Sequence, residues 1–223
     1  MHGSQRLLAE LTGSMLLAAT VVGSGVMAER LAHGNLALAL LANTAATVAV
    51  LATLIALLAP VSGAHLNPLV SFIAALRGAF SWVQAGAYAL AQVLGCCVGT
   101  LLAHAMFGLP LLQASTHVRT GPAQWLSEIV ATFGLMLVIL GHRRAQGAAW
   151  MVAAWIGAAY WFTASTSFAN PAITIARSLT DTFSGIRPID VPAFIMAQWV
   201  GALAALALAR LLFRNPGPHA GGG

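Results

Sequence analysis

Apolar runs of about twenty residues recur along this chain, each closed by a short polar or Gly- and Pro-bearing turn. The first covers about 7–28 and stops at Glu29-Arg30; the second covers about 36–58, ahead of Pro60. A third opens at Trp82 and continues to about 107, and a fourth covers about 123–140, before His142-Arg143-Arg144. The fifth and sixth cover about 148–163 and 191–213. A helix rising 1.5 Å per residue needs about twenty apolar residues to cross a hydrocarbon core of about 30 Å. The pattern therefore predicts six membrane-spanning helices.

Two shorter apolar stretches interrupt this series, after the second span and after the fifth. They read Ser62-Gly63-Ala64-His65-Leu66-Asn67-Pro68-Leu69-Val70-Ser71 and Thr166-Ser167-Phe168-Ala169-Asn170-Pro171-Ala172-Ile173-Thr174. Each places an Asn-Pro pair ahead of about ten mostly apolar residues, too few to span a membrane but enough for a half-helix. Pro suits the first helical turn, and the Asn before it can cap that turn or present its carboxamide donors at the tip.

Composition agrees with a membrane fold. The chain is 59% hydrophobic and 7% charged, with a mean hydropathy of +0.85, which leaves too few polar groups to cover a soluble surface. Its 223 residues suit one bundle over 1–214, with a disordered tail at 215–223. The ten cations are all Arg, scattered over helix ends and loops, which excludes a nucleic-acid footprint. With a cytoplasmic N-terminus, Arg6, Arg77, Arg143, Arg144, Arg210 and Arg214 fall inside, and Arg30, Arg119, Arg177 and Arg187 fall outside. That bias predicts both termini in the cytoplasm. Cys96 and Cys97 are neighbours on one helix whose side chains diverge, so they read as buried apolar groups.

The halves repeat. Glu10 in the first span parallels Glu128 in the fourth, so repeats of about 6–107 and 122–213 each contain a helix with an acid, a second helix, a half-helix and a third helix. Three spans per repeat is an odd number, so the halves must be inverted about an axis in the membrane plane. Non-helical backbone at membrane depth is tolerated where it lines a cavity. The half-helix tips are thus expected to meet near the midplane, with Asn67 and Asn170 offering amide donors to a neutral solute. Glu10, Glu128 and His65 are expected to orient the re-entrant loops; a proton relay through the acids is the alternative. No metal, cofactor or nucleophile–base pair is expected, because no ligand cluster accompanies His65.

Paired Asn-Pro boxes on half-helices, the Ser-Gly-Ala-His lead-in and a Glu in the first and fourth spans resemble the aquaporin and aquaglyceroporin family, over nearly the whole chain. The resemblance implies an all-α membrane protein of six transmembrane helices and two re-entrant half-helices. It also implies a homotetramer in the cell inner membrane, each protomer with its own pore. The boxes are Asn67-Pro68-Leu69 and Asn170-Pro171-Ala172, and Leu69 departs from the family's usual Ala. The family's outer filter offsets fall on Thr47, Ala158, Ser167 and Ile173, none aromatic or charged. The family's Arg is absent at 173, and Arg177 comes one helical turn later, facing the pore mouth or pairing with Asp181.

Such a filter implies a wide constriction that passes water and glycerol- or urea-sized neutral solutes. Ile173 also resembles a bacterial subgroup associated with arsenic-resistance genes, which implies passage of neutral metalloid hydroxides or methylated arsenicals. The competing reading is a proton-coupled secondary transporter using Glu10 or Glu128, since inverted repeats with broken helices serve transporters too.

Overall fold

The computed structural model describes residues 3–142 and 147–213. Arg143, Arg144, Arg214 and the expected tail at 215–223 lie outside the described residues. Among the described residues eight α-helices follow one another: α1 (Gly3–Ala32), α2 (Leu36–Ser62), α3 (Pro68–Leu76), α4 (Trp82–Met106), α5 (Pro122–Gly141), α6 (Ala148–Phe162), α7 (Pro171–Arg177) and α8 (Val191–Leu212). One turn of 3₁₀ helix, Pro188–Asp190, leads into α8. No strand occurs among the described residues.

Five of the helices are long and apolar enough to cross a membrane, while α6 is a shorter apolar helix of 15 residues. At 1.5 Å per residue α6 reaches about 22 Å, short of the full core. Pro60 does not stop α2 where the apolar pattern suggested. The helix continues past it to Ser62 and ends on Gly63, whose φ of 90° lets its N–H return to the Ala59 carbonyl. Half-helix α7 is shorter than its sequence suggested, ending at Arg177 instead of near Thr180.

The packing follows the repeat. In the first half α1 packs on α2 and α4, and in the second α5 packs on α6 and α8. The halves join through α2 against α6, and each half-helix also touches the other half, α3 on α8 and α7 on α4. Glycines permit the closest approaches: a Cβ at Gly95 or Gly99 of α4 would collide with the Leu11 or Met15 carbonyl oxygen of α1. Gly201 of α8 stands in the same way against the Ile129 carbonyl of α5. Bulk at these positions would push the helices apart and open the bundle around the half-helices.

Candidate channel

The two half-helices start tip to tip. Asn67 caps α3 through its side-chain oxygen, which accepts from Leu69 N–H at 3.0 Å, and Asn170 caps α7 by accepting from Ala172 N–H at 3.0 Å. Their amide nitrogens reach across the seam. Asn67 Nδ2 donates to the Ala169 carbonyl and Asn170 Nδ2 to the Leu66 carbonyl, each at 2.8 Å. Each carboxamide therefore fixes its own helix and the opposite loop at once.

The approaches to these tips are held in unusual backbone. Ala64, Leu66, Thr166, Ser167 and Ala169 all have φ between 46° and 60°, the left-handed region that costs a non-glycine residue about 1 kcal/mol or more. Buried carboxylates offset that strain. Glu10 accepts from Ser62 Oγ at 2.6 Å, His65 N–H at 3.0 Å, Leu66 N–H at 2.7 Å and Gln92 Nε2 at 2.8 Å. Glu128 repeats the set with Ser165 Oγ at 2.6 Å, Phe168 N–H at 2.9 Å, Ala169 N–H at 2.9 Å and Gln198 Nε2 at 2.7 Å. With the loop N–H groups turned onto these carboxylates, the Asn67 and Asn170 tips are presented to the passage. The spacing of Glu10 and Glu128 announced half of each brace. The other half, Gln92 and Gln198, was missed, although a Gln deep inside the third and sixth apolar spans was a visible signal.

A cavity of about 380 Å³ runs past the tips. Towards one end it is lined by Arg77, His142 and Ala148, in the middle by Asn67 and Asn170 with Val70 and Ile173, and towards the other by Thr47, Tyr160, Ser167 and Arg177. Thr47, Ser167 and Ile173 therefore reach the passage together. Ala158 does not: it is exposed on the outside of α6 and absent from the cavity wall. Ile156 and Tyr160, one turn apart, face inward, and a residue midway between them points the other way. This end of the cavity consequently has an aromatic wall residue, Tyr160, that sequence offsets missed. The Tyr160 hydroxyl lies 3.4 Å from Thr47 Oγ, and Ser167 Oγ is buried with no protein partner.

Three further side chains shape the site. His65 lines the cavity with Nδ1 at 3.0 Å from Ser71 Oγ, its ring set against Phe80 and Tyr88. Leu69 is fully buried and does not line the cavity; it packs with Ile73, Met136 and Ala202, so the larger residue is absorbed by repacking. Arg177 is only 3% exposed, its Nε donates to the Ser184 carbonyl, and its guanidinium carbon sits 3.4 Å from the Phe168 ring centroid. It does not pair with Asp181, whose carboxylate instead accepts from the Thr116 N–H and hydroxyl at 2.7 and 2.9 Å. Those two donors hold the Asp181 carboxyl, in a loop outside the spans, below the usual carboxylate range.

Comparison with known proteins agrees with this geometry. Residues 1–160 match the family described as Major intrinsic protein. The chain is 55% identical over 219 residues to Aquaglyceroporin AqpS of Rhizobium meliloti, covering 96% of this chain and 93% of that protein. It is 31% identical over 176 residues to the probable aquaporin AqpM of Archaeoglobus fulgidus, covering 71% of this chain and 70% of that one. The X-ray structure of the aquaglyceroporin from Plasmodium falciparum superposes with a TM-score of 0.70 at 20% identity, covering 94% of this chain and 95% of that one, a likeness of fold. The paired tips, their braces and these similarities together make this chain a member of the major intrinsic protein family, the aquaporins and aquaglyceroporins, and an integral membrane protein.

Proposed function

We propose that the protein is a passive channel for water and for uncharged solutes of glycerol and urea size. The observation that carries the size reading is Ile173, an aliphatic side chain on the cavity wall one turn from the Asn170 tip, where the family's filter carries Arg. With Thr47, Tyr160 and Ser167 together on the cavity wall, the outer constriction offers the Tyr160 and Thr47 hydroxyls to a polyol without an arginine narrowing it at 173. Neutral metalloid hydroxides and methylated arsenicals, which carry similar hydroxyls, fall within the same reading. Asn67 and Asn170 form its centre, at the tips of the boxes that Pro68, Leu69, Pro171 and Ala172 complete behind them, and Glu10, Glu128 and His65 orient the loops.

The protein works as a homotetramer in the inner membrane, with both termini cytoplasmic. Against proton-coupled transport, each intramembrane carboxylate already accepts four hydrogen bonds, so protonation would sacrifice bonds that hold the loops. Stopped-flow light scattering on proteoliposomes under sucrose, glycerol and urea gradients, with neutral arsenite uptake alongside, tests the reading. Fluxes linear in the gradient are expected, with glycerol and urea following water. Fast water with both solutes excluded would refute the wide filter. Ile173→Arg should cut glycerol flux more than water flux, and unchanged glycerol flux would remove position 173 from the constriction.

A further inference from the structure

Two cations share one aromatic ring in the wall beside the outer end of the passage. The Arg177 guanidinium carbon lies 3.4 Å from the Phe168 centroid, and that of Arg119, from the loop between α4 and α5, lies 5.0 Å from the same ring. Arg119 is locked in place: its Nε donates to the Gly185 carbonyl at 2.8 Å, its Nη1 to the Ser165 carbonyl at 3.1 Å, and its backbone N–H to the Asp190 carboxylate at 2.9 Å. Ser165 is itself bound to Glu128, so Arg119 is tied to the brace of the second re-entrant loop. Neither guanidinium forms an ion pair; among the described residues the recorded pair is Arg187 with Asp190.

We propose that Arg119 is a positioning residue that holds Phe168 and Arg177 as a stacked unit, and that this unit supplies the positive barrier to protons and cations that Ile173 does not. The inference rests on the channel reading above. A ring face attracts one cation, but two cations on one ring repel each other, so the cluster is held by the backbone carbonyls aimed at both and by the charge of the Glu128 carboxylate nearby. An unpaired guanidinium at membrane depth is costly, which marks it as functional. Arg177 ends α7, seven residues from its Asn170 cap, which puts the charge roughly 10 Å along the passage from the tips. A cation entering from that end meets this field before reaching the carboxamides, while a neutral solute does not feel it as a barrier. Arg119 does not line the cavity, so its effect must pass through Phe168 and Arg177.

Proteoliposomes of the full-length protein, loaded with a pH-sensitive dye and given an acid pulse with the membrane potential clamped, measure proton leak. Osmotic water flux on the same vesicles normalises it. Arg177→Gln should raise normalised leak about tenfold, the factor that about 1.4 kcal/mol of lost barrier gives. Arg119→Gln should leak in the same direction, and the double variant no more than Arg177→Gln alone. Adding Ile173→Arg to Arg177→Gln should restore exclusion by returning a charge to the wall. Phe168→Leu, which keeps both charges and removes the ring, is the probe if loss of Arg177 prevents insertion, and it should leak as well. Unchanged leak in variants that still conduct water overturns the proposal, and additive leak in the double variant overturns the positioning role of Arg119. Absence of water flux in the unaltered protein would instead overturn the channel reading itself, along with this one.

Discussion

Replacing Glu128 by Gln changes one carboxylate oxygen into an amide nitrogen within a site built entirely of donors. If the nitrogen takes the Oε2 position, Gln198 can turn its amide over, since its Oε1 has no partner, but the Ala169 N–H then loses its acceptor. If it takes the Oε1 position, Ser165 Oγ can rotate to accept, but the Phe168 N–H is orphaned. Either way one buried backbone donor is left unsatisfied, which costs about 1–3 kcal/mol, and the surviving bonds lose their charge assistance, about 1 kcal/mol each. The total of about 3–5 kcal/mol should lower Tm by about 10 °C for a chain of this size. Tryptophan fluorescence during heating in detergent micelles measures that shift, and water flux in proteoliposomes shows whether the loop still forms. Glu10→Gln should cost the same within about 1 kcal/mol, because its four donors are of the same types. A Tm within about 2 °C of the parent, together with altered pH dependence of solute flux, would refute the bracing argument and make the carboxylate a proton carrier.

Three further outcomes follow from particular contacts. Tyr160→Ala should raise the ratio of glycerol to water flux by a few-fold, roughly, while Ala158→Val, on the outer face of α6, leaves it unchanged; the reverse pattern in light scattering would overturn the inward placement of Tyr160. Gly99→Ala drives a methyl into the Met15 carbonyl and should cost about 1–3 kcal/mol in thermal melts, whereas Gly86→Ala, inside α4 with open space around it, should be neutral or stabilise by up to about 1 kcal/mol. The Asp181 carboxyl titrates below its unfolded value, so its tether to Thr116 is present above about pH 4 and is lost as pH falls through the lower folded value. Hydrogen exchange at the Thr116 amide should accelerate only in that acid range, and Asp181→Asn should flatten the dependence.

Local pattern carried the helices and the tips. Apolar length, Pro at the first helical turn and Asn before it are decided within a few residues of chain, so the helices lay close to where the apolar pattern placed them, except that α1 runs on through Glu29 and Arg30 to Ala32, α2 carries Pro60 in its last turn and α7 ends early at Arg177. Glu10 and Glu128 were legible because a charge inside an apolar span has few uses. The filter was not legible in the same way, because a fixed offset from Asn170 says nothing about which side of α6 faces inward. Rotation about a helix axis is set by packing against α2 and α5, and that turned Tyr160 in and Ala158 out. The meeting of Arg119 and Arg177 on Phe168 lies further from sequence still, since it joins three separate segments through carbonyls of the loop before α8. The sequence by itself determined that two capped half-helices are buried in an inverted bundle, because those signals are covalent neighbours. Only the tertiary structure decided which side chains border the passage, because direction and distance between remote segments arise from packing.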